Sequence, residues 1–155
     1  MRKVGKLITS ILLPLIIGFL ASFFTQSSVN TWYKTIDKPV FNPPDWVFAP
    51  VWTLLYILIG IAFYLVWEKN FGLNKKKVLT IYFLQLFLNF LWSLLFFGLK
   101  SPILSLIEII ILWILIFMNI KVFYKVTKPA GYLLIPYLIW VSFALILNFS
   151  IVIIN

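Results

Sequence analysis

The residues of this chain that could do chemistry are aromatic rings and carboxamides rather than acids, bases or metal ligands. Its 155 residues include no cysteine and no histidine, so disulfides, Cys/His metal sites, Ser-His-Asp triads and histidine acid/base work are excluded together. Four carboxylates remain, Asp37, Asp45, Glu68 and Glu108, scattered along the chain. Against them stand seven tryptophans, seven tyrosines and sixteen phenylalanines, several at helical spacing. Gln85 and Asn89 lie four residues apart, with Trp92 and Ser93 next on the same face. Tyr137, Trp140, Ala144 and Asn148 share a second face, with Phe143 beside it. Trp52, Tyr56, Phe63 and Trp67 form a third, interrupted by Gly60. Aromatic faces with a few amides stack on and orient a flat, mostly apolar ligand, and they call for no metal or cofactor.

These faces must be carried by membrane helices. With 63% apolar and 11% charged residues, the chain cannot hide its hydrocarbon surface in a water-soluble globule, so its solvent is the lipid bilayer. Apolar runs over residues 7–25, 46–67, 78–98, 102–123 and 131–154 each approach the ~20 residues that cross a bilayer. The breaks between the last four are short, which forces antiparallel neighbours and leaves one domain over residues 1–155. The fold class is therefore all-α, an integral membrane bundle of five transmembrane helices. Residues 7–25 follow Arg2, Lys3 and Lys6 as a signal peptide would. The run exceeds the ~7–15 apolar residues of a signal core and no small-residue cleavage site follows, so a retained first span is expected, bent at Pro14. A break is also expected near Pro136, which lacks an amide proton.

The net charge of +9 does not indicate nucleic acid, because the cations sit between apolar runs instead of lining one face. With five spans, one side holds Arg2, Lys3, Lys6, Lys69, Lys75, Lys76, Lys77, Lys121, Lys125 and Lys128, and the other holds Lys34, Lys38 and Lys100. The positive-inside rule then places the N-terminus in the cytoplasm and the C-terminus outside. The proline-rich loop, residues 26–45, faces outward.

Polar groups at membrane depth are costly, so each has a structural and a functional reading. Gln85 and Asn89 suit interhelical hydrogen bonding, at an average of ~0.6 kcal/mol per contact, or direct contact with a ligand. Trp52 and Tyr56, which follow Pro50, suit plain packing or an inward, ligand-facing role. Glu108, the one carboxylate inside a span, reads as a structural or protonated hydrogen-bonding group, because a proton relay usually needs several.

Taken together, the segments WYKTIDKPVFNPPDW (32–46), PVWTLLY (50–56), YLVW (64–67), QLFLNFLW (85–92) and PYLIWVSFALILN (136–148) resemble the tryptophan-rich sensory protein and translocator protein family, also called TspO/MBR or peripheral-type benzodiazepine receptor. The resemblance covers essentially the whole chain, in the family's order and spacing. It implies a five-helix bundle, a homodimer, and a pocket beneath the first loop that binds porphyrins such as protoporphyrin IX and haem, and benzodiazepine-site drugs. By the matched motifs Trp52, Asn89, Trp92, Trp140, Phe143 and Ala144 line that pocket. Trp32, Pro43 and Pro44 belong to its lid, and Gln85 helps to orient the ligand.

The resemblance also implies a role in regulating tetrapyrrole metabolism, with two alternatives. One is tetrapyrrole transport. The other is light-dependent protoporphyrin degradation, in which Trp52 and Trp140 would be the catalytic residues, as electron donors. Two departures bear on partners. Animal members need a tyrosine and a following cation near the C-terminus to recognise cholesterol, whereas this chain has Phe149 and no cation after Lys128. Leu104 also stands where they carry tryptophan. Specific cholesterol binding is not expected, and a bacterial cytoplasmic membrane is the expected location.

Overall fold

The computed structural model describes residues 2–155. Helix α1, Lys3–Val29, contains Pro14 yet continues through it. A proline has no proton to give the carbonyl four residues back, here that of Ser10. Gly60, on α3 (Phe48–Glu68), packs against that turn. A Cβ at Gly60 would stand 2.6 Å from the Ser10 oxygen and 2.6 Å from Ile11 Cα. The gap seen in the aromatic stripe is thus the close crossing of α1 and α3, of the small-residue kind that lets backbones approach in membranes.

Between these helices the loop holds the short α2, Trp32–Thr35, and a 3₁₀ turn, Asp45–Val47, that leads into α3. Helix α4, Lys75–Ser93, starts with Asn74 Oδ1 accepting from the Lys77 amide at 3.2 Å. It ends in a π-helical turn, Leu94–Gly98. Helix α5, Pro102–Val126, begins after Ser101, whose Oγ accepts from the Leu104 amide at 3.2 Å. The last segment divides at Leu134 into α6, Lys128–Leu133, and α7, Ile135–Ile154. Pro136 lies in the first turn of α7, where the missing amide proton costs nothing.

Five helical units, Lys3–Val29, Asp45–Glu68, Lys75–Gly98, Pro102–Val126 and Lys128–Ile154, are long and apolar enough to cross a membrane. There is no strand among the described residues, so the all-α membrane bundle read from the sequence is the observed architecture. Its core, with Ile59, Ala62, Val66, Tyr82, Ile116 and Phe123, is buried among α3, α4 and α5. Ile8, Phe19, Phe87, Ile111 and Ile139 are exposed, as residues facing hydrocarbon are. At one end Lys6 Nζ reaches Glu68 Oε1 at 3.5 Å and clips the start of α1 to the end of α3.

Candidate ligand-binding cavity

A cavity of about 580 Å³ lies between α1, α3, α4 and α7 with Ile109 and Leu112 of α5 at its base, inside the ~300–1,000 Å³ range of small-molecule sites. Seven of the residues expected at a ligand wall line it: Trp52 and Tyr56 from α3, Asn89 and Trp92 from α4, and Trp140, Phe143 and Ala144 from α7. Trp52 is stacked on Tyr56, with centroids 5.5 Å apart, and meets the edge of Tyr137 at 6.4 Å. Trp140 leans on Phe143 at 5.4 Å and meets Phe48 edge-on at 6.4 Å. The two indoles therefore enter from α3 and α7, each braced by a second ring.

Below them runs a buried chain of hydrogen bonds. Tyr56 donates its hydroxyl proton to Asn89 Oδ1 at 2.8 Å, Asn89 Nδ2 donates to the Tyr137 hydroxyl at 2.8 Å, and Tyr137 donates to Gln85 Oε1 at 2.8 Å. Gln85 thus stands one layer behind the wall, and it is Tyr137 that joins it to Asn89. A second chain uses the next turn: Trp92 Nε1 donates to Asn148 Oδ1 at 3.1 Å, and Asn148 Nδ2 donates to the Pro102 carbonyl at 2.9 Å. Both chains tie α4 to α7, and the second also reaches the start of α5. Glu108 is buried on α5, and neither of its carboxyl oxygens finds a partner among the described residues.

Tyr33 anchors the loop above, the segment that also carries Trp32, Pro43 and Pro44, the residues expected in the lid. Tyr33 is 2% exposed and lines the cavity. Its hydroxyl donates to Asn42 Oδ1 at 2.8 Å, Lys38 Nζ stands 4.8 Å from its ring centre, and Lys38 donates to its carbonyl at 2.7 Å. Burial, with the Asp45 carboxylate nearby, pushes the Tyr33 phenol up to about 12. Trp32 meets the edge of Phe96 at 5.5 Å, just outside the cavity. Pro43 and Pro44 shape the chain between Asn42 and Asp45 without lining it.

Two contributors had no signal in the spacing. The π-helical turn turns Phe96 and Phe97 into the cavity, and Phe96 stacks on Trp92 at 5.0 Å. Ser28 on α1 donates to the Phe97 carbonyl at 2.6 Å. Helix α1 also supplies Gly18, Ser22, Thr25 and Gln26 to the wall. The glycine could have pointed to it: a Cβ at Gly18 would lie 2.2 Å from Tyr56 Cε2, so the Tyr56 ring occupies the space it leaves.

The sequence profile described as the TspO/MBR family matches residues 10–154. Among curated proteins, a "Tryptophan-rich protein TspO" of Archaeoglobus fulgidus is 52% identical over 150 residues, covering 97% of each chain. The "Translocator protein" of Bos taurus is 36% identical over 140 residues, covering 89% of this chain and 83% of its own. A "Tryptophan-rich sensory protein" of Cereibacter sphaeroides is 36% identical over 121 residues, covering 78% of this chain and 75% of its own.

Proposed function

This chain belongs to the TspO/MBR family of membrane proteins, and on that premise we propose that it is a sensor or receptor that binds a porphyrin in the cavity beneath the first loop. The observation that carries the reading is the pair of braced indoles, Trp52 and Trp140, on opposite helices around 580 Å³ of largely aromatic space. Protoporphyrin IX or haem is flat, conjugated and mostly apolar, so it gains from stacking on such faces. The amides below give the site orientation. Asn89 already bonds Tyr56 and Tyr137, which leaves it one amide proton to direct at the ligand. Benzodiazepine-site drugs, also flat and aromatic, suit the same walls.

The role proposed for occupancy is regulation of tetrapyrrole metabolism, in a homodimer in a bacterial-type cytoplasmic membrane. The test is a titration of the purified protein with protoporphyrin IX, followed by tryptophan fluorescence. Wild type is expected to show saturable quenching, and Trp140→Ala to bind about tenfold more weakly, the ~1.4 kcal/mol worth of a good aromatic contact. Unsaturable quenching in wild type would remove the reading.

A second reading is favoured by the Trp52–Tyr56 stack. An indole beside a photoexcited porphyrin can give up an electron, and Tyr56 stands next in line with its hydroxyl on Asn89. Light-dependent loss of bound protoporphyrin, abolished by Trp52→Phe while binding is kept, would support degradation over sensing alone.

A further inference from the structure

The cavity is not closed toward lipid. Below, α1 and α3 touch through Gly18 against Tyr56 and Gly60 against Ser10. Toward the loop their facing residues line the cavity and are at the same time exposed: Phe19 and Gln26 on α1, Ala49 and Thr53 on α3. Phe19 is 64% exposed, in the middle of a helix long and apolar enough to cross a membrane, so the seam lies open on the side of the bundle that lipid would cover. Its polar groups are unevenly committed. Ser22 donates to the Phe19 carbonyl at 2.6 Å and Thr53 to the Ala49 carbonyl at 2.7 Å. Thr25 and Gln26 make no side-chain hydrogen bond among the described residues, and both line the cavity.

We propose that the seam between α1 and α3 is the ligand's way in from the membrane, and that Thr25 and Gln26 hold the hydrogen-bond-accepting edge of an amphipathic ligand there. This deepens the porphyrin reading and rests on it. In that orientation the conjugated body lies between Trp52 and Trp140, and the carboxylates of a porphyrin face α1. Uncommitted donors at the border of hydrocarbon and cavity find few competing waters, so a carboxylate placed on them replaces solvation it has given up by leaving the interface.

The test uses the full-length protein in nanodiscs and two porphyrins, protoporphyrin IX with its two carboxylates and aetioporphyrin with none. The double variant Thr25→Val, Gln26→Leu is expected to bind protoporphyrin IX about tenfold more weakly and aetioporphyrin as wild type does. Thr53→Trp, which narrows the seam, is expected to slow association from porphyrin-loaded vesicles about tenfold, with a smaller change in affinity. Equal effects of the double variant on both porphyrins, or none on either, would overturn the polar edge. Unchanged association in Thr53→Trp would overturn the sideways path. If wild type binds neither porphyrin, the reading above and this one fall together; if wild type binds and the variants do not discriminate, only this one does.

Discussion

At the residue scale, Asn89 is a junction of the site. Its oxygen accepts from Tyr56 and its nitrogen donates to Tyr137, so α3, α4 and α7 meet on one amide. Interhelical hydrogen bonds in membranes average only ~0.6 kcal/mol, but Asn89→Leu would leave the buried Tyr56 hydroxyl without a partner, while Tyr137 keeps Gln85, and such a loss costs about 1–3 kcal/mol. The expected destabilisation is about 2 kcal/mol, read as a lower thermal midpoint in detergent, whereas Asn89→Gln would recover part of it. Tyr33 gives a test by pH. Its phenol is raised from 10.0 to about 12, so between those values the folded loop keeps a proton that the unfolded chain releases. Stability must then fall as pH rises from 10 to 12. Tyr33→Phe, which cannot ionise, should lose about 1 kcal/mol at neutral pH through the missing bond to Asn42 and show a shallower decline in that window. Thermal midpoints of the two proteins in detergent at neutral pH and across that window would report both.

At the element scale, the crossing of α1 and α3 is the least forgiving place in the bundle. The neighbours of Gly60 are backbone atoms, so no rotamer change makes room for a Cβ. Gly60→Ala is expected to cost about 1–3 kcal/mol by forced separation of the helices. The nearest atoms a Cβ at Gly18 would meet are all in the Tyr56 ring, a side chain rather than backbone, so the larger effect of Gly18→Ala should be on ligand affinity through Tyr56 and Trp52. The contrast between these variants in melting temperature and in titration separates a structural glycine from a site glycine. This crossing also shows what could be read in advance. Apolar runs of about bilayer length announced the five helices, and Pro136 announced the break at Leu134, because both follow from local chemistry. The motif residues Trp52, Asn89, Trp92 and Trp140 were legible because polar and aromatic groups are conspicuous in hydrocarbon. What α1 does was not: Ser22, Thr25 and Gln26 lie in a run whose faces look alike until neighbours decide which one meets lipid. The π-helical turn, Leu94–Gly98, was hidden for a similar reason, since LLFFG has no breaker before its last residue, and the turn depends on carbonyl partners such as Ser28 from another helix.

At the scale of the whole molecule, the charge asymmetry sets the orientation expected for the cavity. The antiparallel helices gather the starts of α1, α4 and α6 and the ends of α3 and α5 at one end, and ten of the thirteen cations lie there or just beyond. Among the described residues Glu68 is the sole carboxylate at that end, engaged by Lys6 at 3.5 Å. The loop end has only Lys34, Lys38 and Lys100, with Lys38 folded onto the Tyr33 and Ile36 carbonyls. Short loops rich in lysine resist translocation, so an asymmetry of ten to three should hold the basic end in the cytoplasm and leave Tyr33, Asp45 and the seam between α1 and α3 in the outer half of the membrane. Alkaline phosphatase fused after Asn155 should then be active and a green fluorescent protein at the same position dark, with the reverse for fusions in the Lys69–Lys77 loop. The opposite pattern would place the cavity mouth toward the cytoplasm, and the ligand would then come from inside the cell. Replacing Lys75, Lys76 and Lys77 by Gln leaves seven cations against three, still in the same sense, so the fusion pattern should persist. It should weaken only when Lys121, Lys125 and Lys128 are neutralised as well, which brings the count to four against three.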